Sequence, residues 1–127
     1  MATTDAVTEH FELIGARGHE PLLEKITATL RFDVLNGKRT EHWFLSIKKG
    51  DIAVSRRNVR ADVVIRGQRL LLEQMFSGHA NAVAAMLRGE LSVEGRPELL
   101  VQFQRLLPRP GDARSRGVSA GYAKRLR

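Results

Sequence analysis

The sequence predicts an α+β fold: a five-stranded, mostly antiparallel sheet with helices covering one face. Three observations carry this expectation. Apolar residues recur at helical spacing towards both ends of the chain and alternate strictly in the segment between. Asn36-Gly37 sits inside the alternating segment and is the strongest short hairpin signal. The chain has 127 residues, the size of one domain that buries a core without metals or disulfides.

The elements follow in order. Val7, Phe11 and Ile14 place an amphipathic helix over residues 5–15, capped by Thr4 or Asp5 and ended by Gly15 and Gly18. A second short helix is expected over Pro21–Lys25, with proline in the first turn where it is tolerated. Ile26, Ala28, Leu30, Phe32 and Val34 then alternate with Thr27, Thr29, Arg31 and Asp33, the pattern of a half-buried strand. After the Asn36-Gly37 turn, Trp43, Leu45 and Ile47 share one face of a second strand, and His42, Phe44, Ser46 and Lys48 share the other. Ile52–Arg56 is the third strand and Ala61–Arg66 the fourth, with Ala61, Val63 and Ile65 inward. The expected arrangement over residues 26–66 is an antiparallel meander. Helical spacing returns at Gln68–Phe76, closed by Gly78, and again in a helix capped by Asn81 and ended at Gly89. Leu91 and Val93 form a late strand, and Pro97 opens a last helix with Leu99, Leu100, Phe103, Leu106 and Leu107.

Composition excludes several chemistries. There is no cysteine, so disulfides, thiolate metal sites and cysteine nucleophiles are absent. Of the net charge of +7, the last twenty residues, 108–127, contribute +5. The sequence therefore divides into a folded domain over residues 1–107 and a flexible basic tail over 108–127. That distribution argues against nucleic-acid binding by the domain itself. The tail offers weak contact with an anionic membrane surface, at about 1 kcal/mol per basic residue near it. The amino terminus lacks the basic-then-apolar pattern of a secretory signal. No apolar run approaches the about 20 residues of a membrane span. The expected location is the cytoplasm.

Chemical motifs are sparse. His10, His19, His42 and His79 lack mutual helical spacing and read as isolated surface residues, so no metal site is expected. Asp33, Asp51 and Asp62 read as solvated groups at turns or outward faces. Neither Ser46 nor Ser55 sits in a nucleophile elbow, and no phosphate loop is present. No cofactor and no catalytic residue is assigned. Arg56, Arg57 and Arg60 form the one basic cluster inside the domain. It reads either as a solvated turn or as a clamp for an anionic headgroup.

One stretch is more specific. Residues 61–107 read ADVVIRGQRLLLEQMFSGHANAVAAMLRGELSVEGRPELLVQFQRLL. A strand, a leucine-rich helix closed by glycine, a second helix, Leu91-x-Val93-x-Gly95 and a final Leu/Phe helix occur in that order. Together with FDVLNGKRTEHWFLSIKKGDIAVSRR upstream, this resembles the sterol carrier protein-2 family of lipid-binding domains over residues 20–107. The resemblance implies a hydrophobic tunnel between sheet and helices, with reversible binding of sterols, fatty acids or acyl-CoA-type lipids and no covalent chemistry. The expected walls are Trp43, Leu45, Ile47, Val63, Ile65, Leu72, Met75, Phe76, Met86 and Phe103. Apolar walls suit such a ligand, and the unbranched Met75 and Met86 adapt to different shapes. The second reading is a ligand-free interaction module or homodimer, supported by Phe44 on the far face of the sheet. The third is a nucleic-acid binder acting through the tail.

Overall fold

The computed structural model describes residues 6–107. The tail expected over 108–127 lies outside the described residues. Helix α1 runs over Ala6–Arg17, and a single 3₁₀ turn over Pro21–Leu23 replaces the expected second helix. Strands β1 (Thr27–Asn36), β2 (Arg39–Lys48) and β3 (Asp51–Ser55) follow, then β4 (Val63–Gln68). Helix α2 (Arg69–Phe76) starts without a loop, and α3 (Ala82–Leu87), β5 (Ser92–Gly95) and α4 (Glu98–Gln104) complete the fold. Asn81 caps α3 as expected: its side-chain oxygen accepts from the Ala84 amide at 2.9 Å.

The sheet order is β3-β2-β1-β4-β5. The first three strands form the expected meander. The fourth does not: β4 pairs parallel with β1, on the side away from β2. The sheet is therefore mixed, and the meander ends at β3. Residues 56–62 make the crossover past β2 and β1. At ~3.3–3.6 Å per residue this segment reaches at most ~25 Å, enough for the ~14 Å of three strand spacings. Ala61, expected inside the fourth strand, belongs to this crossover. Asp62 anchors its end: its amide donates to Thr29 O at 3.1 Å, and its carboxylate accepts from the Thr29 amide at 2.9 Å.

Register aligns the apolar side chains in rows. Val54, Leu45, Leu30 and Val63 lie side by side across four strands, as do Trp43, Phe32, Ile65 and Val93. The helices cover this face, burying Val7, Phe11 and Ile14 of α1, Leu72, Met75 and Phe76 of α2, and Leu100 and Phe103 of α4. Gly95 lets β5 end against β4. Its φ is +106°, and a Cβ there would lie 2.2 Å from Asp62 O. No L side chain fits that approach.

The other face holds the largest departure from expectation. Asp33 is fully buried, not solvated. Arg31 grips it through Nε at 2.9 Å and Nη2 at 3.1 Å, His42 Nδ1 lies 2.8 Å away, and Arg66 Nη2 adds a bond at 3.1 Å. The partners come from β1, β2 and β4, so the cluster ties three strands on the side away from the helices. Burial alone would raise the Asp33 carboxyl. Hydrogen bonds from Arg31, His42 and Arg66, with the charge of Arg31, outweigh it and hold the group below the ordinary carboxylate range. Phe44, on the same face, is also buried, with the Arg57 guanidinium 5.8 Å from its ring centre. The exposed aromatic that the dimer reading drew on is thus covered by the crossover.

Asp33→Ala should cost about 1–3 kcal/mol, because it removes the shared acceptor of Arg31, His42 and Arg66. In the wild type this stabilisation is present above the ordinary pKa of 3.8 and is lost as pH falls through the depressed folded value. Urea midpoints at pH 7 and pH 3 measure both effects. The gap between wild type and variant should be wide at pH 7 and narrowed at pH 3.

Candidate functional site

The ten expected wall residues converge as the register requires. Trp43, Leu45 and Ile47 of β2 and Val63 and Ile65 of β4 face Leu72, Met75 and Phe76 of α2 and Phe103 of α4. All nine are buried, and Met86 of α3 packs half-buried against them. The resemblance implied an open tunnel between these layers, but a side chain of α1 fills part of that space. Phe11 does so at the end bounded by Trp43 and Phe76. Its ring stacks on Trp43 with centroids 4.9 Å apart and planes 15° apart, and meets Phe76 edge-on at 5.2 Å. Phe32 touches Phe11 at 5.1 Å and Phe103 at 4.9 Å. Sequence reasoning put Phe11 on the apolar stripe of α1 but not in the site. The stripe itself was the available signal, because an apolar stripe must cover something.

Helix α1 also brings in His10, which is not an isolated surface residue. Its ring stacks on Phe76 at 4.2 Å and 13°. Burial, reinforced by the charge of Arg17, lowers its pKa to about 4. The imidazole is therefore neutral at pH 7, and its buried Nε2 has no hydrogen-bond partner. The Trp43 Nε1 is a second buried nitrogen without a partner. Such atoms are scarce in native proteins, and both belong to the aromatic cluster around Phe11. The remaining histidines are also engaged. His19 Nδ1 lies 2.6 Å from Asp51, and His79 Nδ1 lies 2.8 Å from Ser77 Oγ.

Trp43 is the one expected wall residue that also borders an open groove described at the surface. That groove, of ≈ 720 Å³, runs between α1 and the edge strand β3. Phe11, Glu12 and Gly15 form its helical side, and Val54, Ser55 and Arg56 its sheet side. Gly15 permits the approach, since a Cβ there would lie 3.3 Å from Val54 Cβ. At one end the Arg56 guanidinium sits over the Trp43 ring, 4.1 Å from its centre. Arg56 Nε donates to His42 O at 3.1 Å, and its Nη2 lies 3.9 Å from Glu41. Of the expected basic cluster, Arg56 and Arg57 are thus packed on aromatic rings. Among the described residues no set of three or more His, Cys, Asp or Glu is placed to hold a metal ion, and no helix is long and apolar enough to cross a membrane.

Comparison with known proteins bears on this layered site. The SCP-2 sterol transfer family matches residues 11–108. Hydroxysteroid dehydrogenase-like protein 2 of Xenopus tropicalis is 27% identical over 101 residues, covering 78% of this chain and 24% of that protein. The chain thus spans about a quarter of the length of the curated relatives it matches. Among solved structures, the apo form of sterol carrier protein 2 from Yarrowia lipolytica is 23% identical with a TM-score of 0.66, over 82% of this chain and 92% of that one. Sterol carrier protein-2 from Aedes aegypti, solved in complex with the C16 fatty acid palmitate, is 18% identical with a TM-score of 0.64, over 82% and 96%. A sec-alkylsulfatase from Pseudomonas sp. contains the same fold in 16% of its chain, with 19% identity and a TM-score of 0.63. At these identities the likeness shows the fold.

The state of His10 predicts an acid response. Its folded pKa lies below the ordinary value of 6.5. Stability is therefore complete above 6.5 and falls as pH drops towards about 4. The loss is expected to reach about 3 kcal/mol. It should flatten in His10→Leu, as read from urea midpoints between pH 7 and 4. An unchanged slope in that variant would place the acid sensitivity on another group.

Proposed function

The chain belongs to the SCP-2 sterol transfer family, and from that premise we propose that it binds an apolar lipid reversibly between sheet and helices, without covalent chemistry. A sterol, a fatty acid or an acyl-CoA-type lipid fits the reading, and Trp43, Met75, Phe76 and Phe103 are its central walls. The observation that carries it is the identity of the filler. The space between Trp43 and Phe76 is occupied by Phe11, a side chain of the first described helix, and not by a residue of the sheet or of α2. A ligand gains that space by turning the Phe11 side chain out of it, with the sheet register intact. Exposing a buried phenylalanine costs about 1.5–3 kcal/mol, whereas about ten buried methylenes contribute about 8 kcal/mol. The exchange therefore favours the ligand before the cost of association.

The same Phe11 favours a second reading, a permanently packed interaction module. The curated relatives, of which this chain spans about a quarter, are consistent with a domain attached to a larger protein. The two readings part on one property: the carrier exchanges Phe11 for lipid, and the module does not.

Met75→Trp should block lipid while leaving the fold intact, because it adds bulk at the wall facing the sheet. A fluorescent fatty acid should bind the wild type at about micromolar strength and bind the variant at least about tenfold more weakly. Emission of Trp43, the single tryptophan, should change on addition of ligand to the wild type. Equal binding by both proteins would remove Met75 from the pocket. No binding by either, with no lipid found by native mass spectrometry, would favour the packed module.

A further inference from the structure

The geometry points to the α1–β3 groove as the place where the polar head of the ligand rests, with Trp43 and Arg56 selecting an anionic, oxygen-bearing head over a neutral one. This rests on the lipid-binding reading above. Three observations meet at one end of the groove. Trp43 lines it, is 4% exposed, and carries a buried Nε1–H with no acceptor. An indole N–H is a donor only, so what it lacks is an oxygen. Arg56 lies over the same ring at 4.1 Å. Its side chain is 54% exposed, and its nearest carboxylate, Glu41, stands 3.9 Å off, beyond hydrogen-bond length. One Arg56 donor, Nε, is committed to His42 O at 3.1 Å, and this fixes the guanidinium over the ring. The third observation is Phe11, which stacks on Trp43 and also lines the groove.

A partly free guanidinium over an indole whose own N–H lacks an acceptor suits a carboxylate that enters as Phe11 leaves. Hydrogen bonds to ionised oxygens are roughly twice as strong as neutral ones. The groove thus supplies what the apolar layer lacks. The chain of the ligand takes the place of Phe11, and the head stays at the water-facing end, where Arg56 keeps contact with solvent. A fully apolar site would bind an alcohol and an acid of equal chain length on chain burial alone. Glu12 of α1 is the acidic residue of the same lining. It opposes an anionic head and tempers the preference.

The test compares hexadecanoic acid with 1-hexadecanol, two ligands that share one chain and differ at the head. Binding is followed by calorimetry on the full chain at pH 7.5. The wild type should prefer the acid by about tenfold or more. Arg56→Gln should erase that preference and leave hexadecanol affinity within about twofold. Trp43→Phe, which keeps the ring and removes the N–H, should weaken the acid by about fivefold. Glu12→Gln should tighten the acid alone. Equal affinity for acid and alcohol in the wild type, or an intact acid preference in Arg56→Gln, would overturn the head assignment and leave the carrier reading standing. Failure of the wild type to bind either ligand would overturn both. Circular dichroism of each variant separates loss of the head site from loss of the fold.

Discussion

Strand β1 is the constraint on which the other elements depend. It is the central strand, with β2 antiparallel on one edge and β4 parallel on the other. Its two faces are chemically opposite. Leu30, Phe32 and Val34 are buried under the helices, while Asp33, between the last two, is buried under arginine. A slip of one residue would exchange these faces. It would place a carboxylate in the apolar layer and a phenylalanine among the guanidinium groups. Both faces therefore specify the same register, and this fixes Trp43 opposite Phe32 and Ile65 on the other side of it. The candidate site inherits its sheet wall from that register.

The helical wall is less uniformly committed. Helix α2 continues directly from β4, so its position follows from the sheet. Helix α1 is joined to β1 through a 3₁₀ turn and a short bridge, His19 against Asp51, that covers the start of β3. It reaches the core through Val7, Phe11 and Ile14. Its approach to β3 depends on Gly15, which stands against Val54. The element that closes the space above Trp43 is thus tied to the sheet through the segment that follows it, with backbone bonds from Ile52 to Gly18 and from Glu20 to Gly50.

Much of this was legible in the sequence, and the losses have physical causes. Strict alternation from Ile26 to Val34, the Asn36-Gly37 turn and the Asn81 cap are local signals, and local geometry obeys them. The partner of β4 was not legible. Alternation in Val63 and Ile65 reports a buried face but not which strand lies alongside, and a short crossover allows either edge. Asp33 was misread for a related reason. Its parity correctly puts it on the outer face, but parity cannot show that Arg31, Arg66 and His42 close over it from neighbouring strands. Phe44 is hidden in the same way, by Arg57 from a segment with no periodicity at all. In the site, the burial of nine of the ten expected wall residues was legible because each lies on the apolar face of its own element. Phe11 was legible as apolar, yet its place between two other elements depends on tertiary packing.

The two unpartnered nitrogens bear on why α1 is docked as it is. A buried polar group without a partner costs about 1–3 kcal/mol. His10 Nε2 and Trp43 Nε1 are both in this condition, and both belong to the interface that α1 makes. The aromatic stacking of Phe11 and His10 stabilises that interface by about 0.5–1.5 kcal/mol per pair beyond simple burial, so the contact opposes itself. A sequence selected only for closure would place leucine at position 10 and phenylalanine at position 43, keeping the apolar contact and removing both penalties. The imidazole and the indole there weaken the contacts of α1 with α2 and β2. A donor or acceptor admitted to those contacts would satisfy both nitrogens. Among the described residues both unpartnered buried nitrogens therefore lie at contacts of α1, His10 against Phe76 of α2 and Trp43 of β2 against Phe11.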